Sequence, residues 1–563
     1  MAHVVTQNCC NDATCVSVCP VNCIHPTPEE SGYATSEMLY IDPETCIDCG
    51  ACVEVCPVNA ITPDFELVDS EQIYLEVNAQ YFADPTHRDY DQAPVRTRAP
   101  SVSIVQPQPL RVAVVGSGPS ALYAVEELKS YRGLDVEVTI FERLPSFGGL
   151  VRYGVAPDHQ STKSVDKLFM TTARRAGVSV HLNVEVGSDL SLAELLRHHH
   201  AVIWAGGASS DRQLGIPGEG LSGSHAATDF VAWYNGHPEH TNAEFDLTCE
   251  RAVIIGNGNV ALDVARVLTT PVDELARTDI AQHALDSLAA SKIREVVIMG
   301  RRGPGQAAFT TPELVGLISN DALDVTVLAD DLGLDATGLA ATDPPPGSMA
   351  ELKVRLIRGL PRAHVSSEAR QICLRFLGSP IAIKGADRVT GVSFARTELD
   401  LVDGRASART TDTAFDIDCG LVLRSIGYRG SVIPDLPFDE TTGTVPNIAG
   451  RVIDPGTNEA LAGLYTAGWI KRGPSGVIGT NKRCSRETVR ALIEDYSSGK
   501  LPAPEADAAA LAGLLAERKP DSLTLEDWRV IDKFERSQGR SQQRARTKLV
   551  TIEELLATAR SSR

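Results

Sequence analysis

The pattern of apolar and polar residues changes several times along this chain of 563 residues. Residues 1–63 hold few large apolar side chains, and residues 64–85 (DFELVDSEQIYLEVNAQYFADP) predict an acidic helix packed beside them. Residues 86–109 are rich in Pro, Arg and Gln and predict an extended tether. From Leu110 onwards short apolar runs alternate with helical periodicity, and this predicts an α/β fold.

The pattern changes again near residue 500, where residues 507–520 (DAAALAGLLAERKP) and 549–560 (LVTIEELLATAR) predict amphipathic helices. A chain of this length predicts three or four domains. No apolar run approaches the roughly 18 residues of a membrane span, so we expect no membrane contact. The N-terminus (MAHVVTQNCC) has neither the basic region nor the apolar core of a signal peptide.

Two segments, 140 residues apart, join a short apolar strand to a glycine-rich turn and a helix. In the first, LRVAVVGSGPSALYAVEEL, the strand Val112–Val115 runs into Gly116 and Gly118. Glycines there permit a tight turn and let a pyrophosphate approach the helix N-terminus. The next strand, VEVTIFE, ends in Glu142, where an acid accepts hydrogen bonds from ribose hydroxyls. The segment therefore predicts a dinucleotide site.

The second segment, RAVIIGNGNVALDVARVL, places Gly256 and Gly258 in the same positions. Its next strand, EVVIMGRRG, ends in Arg301 and Arg302, where an NAD site has an acid. Guanidinium groups bind phosphate in a bidentate manner, so the pair predicts NADP, bound through its 2′-phosphate. The alternative is an ordinary surface pair of arginines.

Seven of the nine cysteines in the first 56 residues form two runs, each ending in Cys-Pro. The second run, CIDCGACVEVCP, has the spacing C-x2-C-x2-C-x3-C-P of bacterial ferredoxins. In two-cluster ferredoxins the last cysteine of a run binds the other cluster. We therefore expect one cluster on Cys19, Cys46, Cys49 and Cys52, and another on Cys9, Cys15 and Cys56.

The first run lacks one ligand, because the spacing places Asp12 where a cysteine is expected. Iron–sulfur clusters prefer thiolate to carboxylate. We therefore expect a 4Fe–4S cluster on the second run, and on the first either a 3Fe–4S cluster or a 4Fe–4S cluster with one labile iron. Cys10 and Cys23 fall outside the pattern and are expected to be free. Zinc sites use paired C-x2-C motifs and disulfides need an oxidising compartment, so both are disfavoured.

Charge is unevenly spread in a chain whose formal net charge is −20. Before Arg88 there is no Lys or Arg, against fourteen Asp and Glu. This distribution disfavours nucleic acid and favours a basic partner surface, although it also serves solubility. We expect Glu44, Asp48 and Glu54 to dock on a basic face of the rest of the chain. Abundant cysteine without a secretion signal indicates a cytoplasmic protein.

Two dinucleotide sites and two sets of iron–sulfur ligands predict one electron path. Nicotinamide transfers two electrons whereas an iron–sulfur cluster accepts one, so a flavin must lie between NADPH and the clusters. The final acceptor is then an external one-electron carrier, such as a ferredoxin or a cytochrome P450. A disulfide reductase is disfavoured because no cysteine pair follows GGLVRYG.

Several long motifs in residues 110–563 resemble the ferredoxin–NADP+ reductases of the adrenodoxin-reductase type: GSGPSA, FERLPSFGGLVRYGVAPDH, GNGNVALDVAR, GRRGPGQAAFTTPEL and GWIKRGPSGVIGTNK. Residues 1–60 resemble a seven-iron ferredoxin, with a shortened loop between Cys9 and Cys15. The whole chain resembles the ferredoxin/ferredoxin–NADP+ reductase fusions. The resemblance implies an α+β two-cluster ferredoxin and two Rossmann-like domains in the glutathione-reductase layout. These are an iron–sulfur domain over 1–63, a helix and linker over 64–109, a FAD-binding domain over 110–210 and 455–563, and an NADP-binding domain over 211–454.

The same resemblance implies the cofactor contacts. FAD is expected against Gly116, Gly118, Ser120, Glu142, Leu150, Val186 (on the strand HLNVEVG), Trp469, Gly476, Val477 and Ile478. NADP is expected against Asn257, Gly258, Asn259, Val260, Arg301, Arg302, Glu313 and Gly476. His159 and Glu313 are expected near the nicotinamide–flavin contact, although from the sequence alone they are only polar residues in motif loops.

Two other functions stay open at this point. The small subunit of glutamate synthase also joins iron–sulfur cysteines to two nucleotide folds, and it passes electrons to a large amidotransferase subunit. Alternatively, the N-terminal segment is an iron–sulfur redox sensor that the attached reductase resets.

Overall fold

The structure of the chain is a computed structural model that describes residues 2–95, 100–101, 109–332, 344, 348–362, 370–402 and 405–561. It is a mixed α/β fold, as the alternation of apolar runs and helical periodicity predicts. A small N-terminal module (residues 2–91) precedes two large sheets. In the described part of the chain, no helix has the length and apolar character needed to span a membrane.

Two short antiparallel strand pairs build the N-terminal module. The predicted acidic helix is confirmed over Ile73–Tyr81. Its Asn78 joins both strand pairs, because its side chain donates to the carbonyl of Val5 (2.8 Å) and accepts from the amide of Ile41 (3.0 Å). The strands and helices of the module are His3–Val5, Ile24–His25, Tyr40–Ile41, Ile61–Pro63, Ala51–Val55 and Ile73–Tyr81.

The first large sheet has seven strands, and five consecutive ones are parallel. The middle strand of these five, Leu110–Val115, is called the central strand below. It is largely buried, as a strand covered on both faces must be. In spatial order the strands are Asn447–Ile448, Arg451–Ile453, Ala460–Thr466, Ala201–Trp204, Leu110–Val115, Val136–Glu142 and Val178–Leu182. The sheet thus includes residues from 447, ahead of the predicted boundary at 455.

The second large sheet has six strands, all parallel. In spatial order they are Ser224–Ala226, Leu421–Arg424, Arg251–Ile255, Glu295–Met299, Gln371–Arg375 and Asp324–Val327. An antiparallel sheet packs beside it and is formed by Gly378–Lys384, Gly391–Val402 and Arg405–Asp418. A short antiparallel strand pair, Ser210–Asp211 with Tyr428–Arg429, lies where the chain passes between the two large sheets.

Helices cover both large sheets, and the amphipathic C-terminal helices that the sequence predicts are confirmed. Around the first sheet lie Pro119–Leu128, Leu150–Tyr153, Gln160–Lys163, Asp166–Ala173, Leu192–His198, Trp469–Arg472, Thr480–Ser497, Ala508–Arg518, Leu525–Ser541 and Ile552–Arg560. Around the second lie Ala227–Tyr234, Asn259–Thr269, Val272–Leu275, Gln282–Ala289, Thr311–Ile318 and Met349–Gly359.

The connection between the module and the sheets is shorter than the predicted tether of residues 86–109. Arg88 pairs with Glu44 (3.0 Å) and Tyr90 donates to Asp42 (2.6 Å), so the chain stays on the module up to about residue 91. At the other end, the amide of Arg132 donates to the carbonyl of Pro100 (2.9 Å). Residues 96–99 and 102–108 of the predicted tether lie outside the described residues.

The module packs directly on the sheets. Cys10, Val58 and Ala60 of the module belong to the same buried apolar cluster as the central strand of the first sheet. The acidic contacts are not the predicted ones: Glu44 pairs with Arg88 and Asp48 with His3, both within the module, while Glu54 is exposed. The docking prediction for Glu44 and Asp48 was therefore wrong, because each has a basic partner close by on the module.

Other acids of the module make the contacts with the rest of the chain. Glu37 pairs with Lys353 (3.0 Å) and Glu29 with Arg486 (3.3 Å), and Glu76 pairs with Arg355. The interface is therefore partly ionic, as expected for an acidic module. It also contains backbone and apolar contacts, so charge alone does not hold the module in place.

Candidate active site and cofactor-binding sites

The first glycine loop (residues 116–118) leaves the carboxyl end of the central strand of the first sheet. Gly116 has φ +108°, and a Cβ on it would lie 2.7 Å from the carbonyl oxygen of Ala205. A Cβ on Gly149 would lie 2.9 Å from the Cα of Gly118. Two glycine-lined backbones thus approach each other at the N-terminus of the helix Pro119–Leu128. This cradle fits a pyrophosphate, which needs close approach to backbone N–H groups.

Glu142 ends the neighbouring strand, as predicted, and is buried. Its carboxylate accepts from the backbone amide of Ser117 (2.9 Å), from the Ser117 hydroxyl (2.8 Å) and from the amide of Leu144 (3.1 Å). A carboxylate has about four acceptor positions, so one stays available to a ribose hydroxyl. Glu142 therefore also shapes the glycine loop itself.

The remaining residues predicted to contact FAD fall on two sides of this cradle. Ser120 donates to Asn481 (2.9 Å), and Asn481 donates to the carbonyl of Ile478 (3.0 Å), which brings the Gly476 loop (residues 476–479) to the first helix. Trp469 donates through Nε1 to the carbonyl of Ser475 (3.2 Å) at the edge of the same loop. Leu150, at the start of a short helix after Gly149, is partly exposed.

One position in these segments, Val186, differs from its prediction. Val186 is buried but lies beyond the strand Val178–Leu182, so its predicted place on a strand was wrong. The amide of Val184 donates to the carbonyl of Glu142 (2.9 Å), which still brings this segment alongside the cradle. Gly476 has φ +77°, and the amide of Val477 donates to Thr480 (3.1 Å).

The second glycine loop (residues 256–258) repeats this geometry on the second sheet. Gly256 has φ +109°, and a Cβ on it would lie 2.1 Å from the carbonyl oxygen of Ser425. A Cβ on Gly258 would meet nothing within 4 Å, so the space before the helix Asn259–Thr269 is open. Val260, in the first turn of that helix, packs against the buried core below.

Two asparagines of this loop fix the segment that follows the predicted arginines. Asn257 accepts through its carbonyl from the amide of Phe309 (2.8 Å), and Asn259 accepts through Oδ1 from the amide of Thr310 (2.8 Å). These bonds hold the start of the helix Thr311–Ile318, called the Glu313 helix below, against the second glycine loop.

Arg301 and Arg302 follow the strand Glu295–Met299 by two and three residues. Arg301 is exposed and Arg302 half-buried. Across the described ranges, neither guanidinium has a hydrogen bond or an ion pair. Two unpaired guanidinium groups beside a glycine loop suit a phosphate, which offers several acceptor oxygens.

The structure brings His159 and Glu313 together, as expected. Nε2 of His159 lies 3.9 Å from Oε2 of Glu313, and one ligand-type atom of each of His159, Asp263 and Glu313 lies within 4.8 Å of the others. Arg266 donates to Nε2 of His159 (2.8 Å) and to Asp263 (2.8 Å) and also pairs with Asp158. The imidazole is therefore held by a buried guanidinium.

Charge and burial act in opposite directions on the acids of this cluster. Burial raises the pKa of Asp263, and the nearby Arg266 only partly offsets it. For Asp158 burial is outweighed by Arg266 and His159, which hold its pKa below the ordinary value. Sequence reasoning missed Asp158, Asp263 and Arg266. For Asp263 and Arg266 the sequence did contain a signal: they are three residues apart, which places both on one face of a helix.

The seven predicted cysteine ligands form two groups in the module. Cys9, Cys15 and Cys56 line one small cavity together with Asp12, so the last cysteine of the second run lies with the first run. Burial is the largest influence on all three thiols and raises the pKa of Cys9 to about 12. A metal that binds these thiols has to displace their protons.

The other group contains Cys19, Cys46, Cys49 and Cys52. The expected free cysteine, Cys23, lies beside it, with its sulfur 3.5 Å from that of Cys19. Hydrogen bonding from Cys23 lowers the pKa of Cys19 to about 6 and that of Cys46 to about 5. Cys52 is buried and Cys49 is exposed. The group of Cys9, Cys15 and Cys56 thus faces the interior of the molecule, and the group that contains Cys49 reaches the surface.

Comparison with known proteins identifies both parts of the chain. A model named 4Fe-4S binding domain matches residues 39–62, and one named pyridine nucleotide-disulphide oxidoreductase matches residues 110–298. A probable ferredoxin/ferredoxin–NADP reductase of Mycobacterium tuberculosis is 50% identical over 572 residues, which cover 100% of this chain and 96% of that protein. The chain belongs to the ferredoxin/ferredoxin–NADP reductase family.

Shorter relatives align with part of this chain as well. The NADPH-ferredoxin reductase FprA of Mycobacterium tuberculosis is 46% identical over 460 residues, 80% of this chain and 99% of that protein. A solved structure of FprA in complex with NADPH has a TM-score of 0.74 and 44% identity, and the match covers 80% of this chain and 100% of that chain. These matches confirm the family resemblance that the motifs indicate.

Proposed function

We propose that this protein takes hydride from NADPH onto bound FAD and passes single electrons through its own N-terminal module to an external acceptor protein. FAD supplies the conversion from two-electron to one-electron transfer, and iron–sulfur clusters carry single electrons. The family membership and the two nucleotide-binding loops support this function.

The proposed FAD site is the cradle between the first glycine loop and Gly149, closed by the Gly476 loop. Glu142 orients the first loop and accepts from the ribose, while Ser120 and Asn481 hold the helix to the opposite wall. The division into a FAD-binding part (110–210 and 455–563) and an NADP-binding part (211–454) in the glutathione-reductase layout is part of the proposal, with the second FAD-binding segment extended back to residue 447, where the strands of the first sheet resume. Two separate sheets support it, one with five consecutive parallel strands and the other with all six strands parallel.

The proposed NADP site is the open space in front of the second glycine loop. Gly258 leaves room for the pyrophosphate, and residues 257–260 present the N-terminus of a helix to it. Arg301 and Arg302 bind the 2′-phosphate. His159 immediately precedes the helix Gln160–Lys163 and Glu313 lies in the first turn of the helix Thr311–Ile318. The two residues come from the proposed FAD-binding and NADP-binding parts, where a nicotinamide ring from one nucleotide site would meet a flavin from the other.

The proposed iron–sulfur ligands are the two cysteine groups of the module. Cys19, Cys46, Cys49 and Cys52 hold a 4Fe–4S cluster. Cys9, Cys15 and Cys56 hold a second cluster, which is either a 3Fe–4S cluster or a 4Fe–4S cluster with one labile iron. Because Asp12 already accepts from the amide of Thr14 (3.2 Å) and from its hydroxyl, it does not complete this site as a fourth thiolate would.

One observation carries the proposal. The backbone of the first cysteine group lies directly on the Gly476 loop: the amide of Gly479 donates to the carbonyl of Cys10 (2.7 Å), and a Cβ on Gly479 would lie 1.7 Å from the carbonyl oxygen of Asn11. On the other side of the same group, Ser164 donates to the carbonyl of Pro57 (2.6 Å). The interior cysteine group is thus held against the loop proposed to line FAD.

The opposite side of the module is suited to an external acceptor. Ile47 is 58% exposed beside the exposed Cys49, and the exposed acids Glu44 and Glu54 flank this loop. An apolar centre with an acidic rim favours a partner that surrounds its redox centre with Lys and Arg. Ferredoxin, cytochrome P450 and similar carriers remain candidates. We place the protein in the cytoplasm, because an exposed ligand thiol needs a reducing compartment.

Visible and EPR spectra before and after anaerobic addition of NADPH test this function. We expect the purified protein to carry flavin and iron, and NADPH to bleach the flavin band and then lower the iron–sulfur absorbance. A protein without flavin, or one that NADPH does not reduce, would refute the proposal. Reduction of flavin with unchanged iron–sulfur absorbance would refute the role given to the module.

A further inference from the structure

The first turn of the Glu313 helix is covered by the N-terminal module. Three side chains of the module, from Gln7, Glu37 and Tyr74, each contact this turn. We propose that the module is a structural part of the hydride-transfer site, in which Gln7 is a positioning residue that orients the carboxylate of Glu313. This inference rests on the proposed function, because it takes Glu313 to lie at the nicotinamide.

Gln7 makes the most direct of these contacts. Its side-chain amide donates through Nε2 to Oε2 of Glu313 (3.1 Å), the same oxygen that lies 3.9 Å from Nε2 of His159. The amide fits because residue 316 is glycine: a Cβ there would lie 2.1 Å from Oε1 of Gln7. Gln7 is therefore packed against the helix as well as bonded to its glutamate.

Glu37 fixes the N-terminus of the same helix. Its Oε2 accepts from the amide of Thr311 (2.7 Å), and its Oε1 accepts from Nζ of Lys353 (3.0 Å). Lys353 also donates to the carbonyl of Phe309 (2.7 Å), just before the helix. A carboxylate at a helix N-terminus satisfies a free amide and interacts favourably with the helix dipole.

Tyr74 completes the contact. Its hydroxyl donates to the carbonyl of Pro312 (3.1 Å), the residue before Glu313. Three independent hydrogen bonds from one module therefore hold three consecutive residues, Thr311, Pro312 and Glu313. A catalytic carboxylate has to be held within a fraction of an ångström by its neighbours, so these contacts act on the geometry of hydride transfer.

The first test is a double-mutant cycle in the full-length holoenzyme. Gln7→Met keeps the shape of the side chain and removes the donor. We expect it to slow flavin reduction by NADPH in stopped flow about tenfold, with a smaller change in KM. In a Glu313→Gln background, Gln7→Met should have almost no further effect, because Gln7 acts through Glu313. Gln72→Met is the control, since the Gln72 amide donates to the carbonyl of Leu67 within the module (2.9 Å).

The second test does not depend on turnover. Glu37→Gln weakens the contact with the amide of Thr311, so hydrogen–deuterium exchange in the peptide 308–318 should become about tenfold faster. Glu44→Gln is the matched control, because Glu44 pairs with Arg88, away from the Glu313 helix (3.0 Å). Iron content measured for every variant shows whether the module is still folded and loaded.

The outcomes separate this inference from the proposed function. If the wild type reduces flavin with NADPH but Gln7→Met does so at the same rate, the positioning role is wrong and the function stands. Equal losses from Gln7→Met in the wild-type and Glu313→Gln backgrounds would show a general structural effect and also overturn the inference. Should Gln7→Met fail to load iron, Gln7→Glu, which sets a second carboxylate against Glu313, is expected to slow flavin reduction at least as much. An unchanged rate in Gln7→Glu would contradict the inference.

Discussion

Asp12 is the residue at which the chain departs from the ligand spacing of its own second cysteine run. It is buried, lines the cavity of the first cysteine group, and accepts two hydrogen bonds from Thr14. A carboxylate already engaged in this way competes poorly with thiolate for iron. We therefore expect the residue type at this position to decide which kind of cluster the first cysteine group holds.

We predict that the protein as isolated gives the EPR signal of an oxidised 3Fe–4S cluster. Asp12→Cys supplies a fourth thiolate and should remove this signal by forming a stable 4Fe–4S cluster. Asp12→Ala, which removes the carboxylate without adding sulfur, should retain the signal. Two ordinary 4Fe–4S clusters in aerobically purified wild type would show that the ligand argument is wrong.

The two arginines after the strand Glu295–Met299 are expected to select the nucleotide. Each should supply a charge-assisted hydrogen bond to the 2′-phosphate, worth about 1.5–3 kcal/mol. Changing Arg301 and Arg302 together to Ala should therefore raise KM for NADPH at least tenfold and leave KM for NADH nearly unchanged. Arg409→Ala, a change at an exposed arginine paired with Glu398 and Asp400, serves as the control. Equal losses with both nucleotides would contradict the assignment.

His159 is expected to act on the chemical step. Its Nε2 accepts from Arg266 (2.8 Å) and lies close to Glu313, so its orientation is fixed before a nucleotide binds. His159→Ala should lower kcat more than it raises KM, and stopped-flow flavin reduction should be the affected step. An unchanged rate constant for flavin reduction would assign His159 a purely structural role.

For single residues, the sequence was enough to predict those whose type is dictated by their spacing from nearby residues in the chain. The two glycine loops and the cysteine runs belong to this class, because backbone approach and metal ligation each demand a residue type at a set interval. Contacts between distant segments have no such signal. Gln7 and Glu313 are 306 residues apart, and no local pattern relates them.

Among the elements, the C-terminal helix Leu525–Ser541 depends on a buried ion cluster. Glu535 is fully buried and accepts from Arg152 (2.6 Å) and Arg546 (2.7 Å). Glu535→Gln leaves the buried Arg152 guanidinium without its anion and removes one of the two anions of Arg546, which keeps Asp532 (2.7 Å). Breaking such a pair costs about 3–5 kcal/mol of folding free energy, which should appear as a lower midpoint of thermal unfolding. Glu526→Gln, at an exposed pair with Arg529, should have little effect.

The same cluster gives a pH dependence with a defined sign. Burial opposes ionisation of Glu535, but Arg152 and Arg546 outweigh it and lower the pKa of its carboxyl to about 2. A glutamate in the unfolded chain has a pKa of about 4.3. Its contribution to stability is therefore present above that pH and is lost as the pH falls towards 2. The difference in unfolding midpoint between wild type and Glu535→Gln should shrink over this interval. A difference that stays constant would contradict the ionic explanation.

The end of a strand could be predicted where an apolar run stops at a charged residue, as at Glu142. The strand that was expected to reach Val186 ends instead at Leu182. Asn183 follows with φ +60°, a left-handed conformation that stops the strand. The alternation of HLNVEVG continues through this turn, so side-chain pattern alone could not locate the break.

At the scale of the whole molecule, the sequence indicated an acidic module on a long tether, but the module is docked. The segment that leaves it stays attached up to Tyr90, and the chain rejoins the sheets at Pro100. Docking depends on surfaces that come together only after both parts fold, which explains why spacing and charge identified the acidic character but not the contacts. The arrangement sets the interior cysteine group on the Gly476 loop and leaves Cys49 exposed.

The central claim is that electrons from NADPH leave through the module, and one comparison tests it most directly. NADPH-dependent reduction of cytochrome c and of ferricyanide is measured for full-length wild type and Cys49→Ser. Ferricyanide is small enough to take electrons from the flavin itself. We predict that Cys49→Ser lowers cytochrome c reduction at least tenfold while ferricyanide reduction stays within about twofold. If Cys49→Ser reduces cytochrome c as fast as the wild type, electrons do not leave through the module.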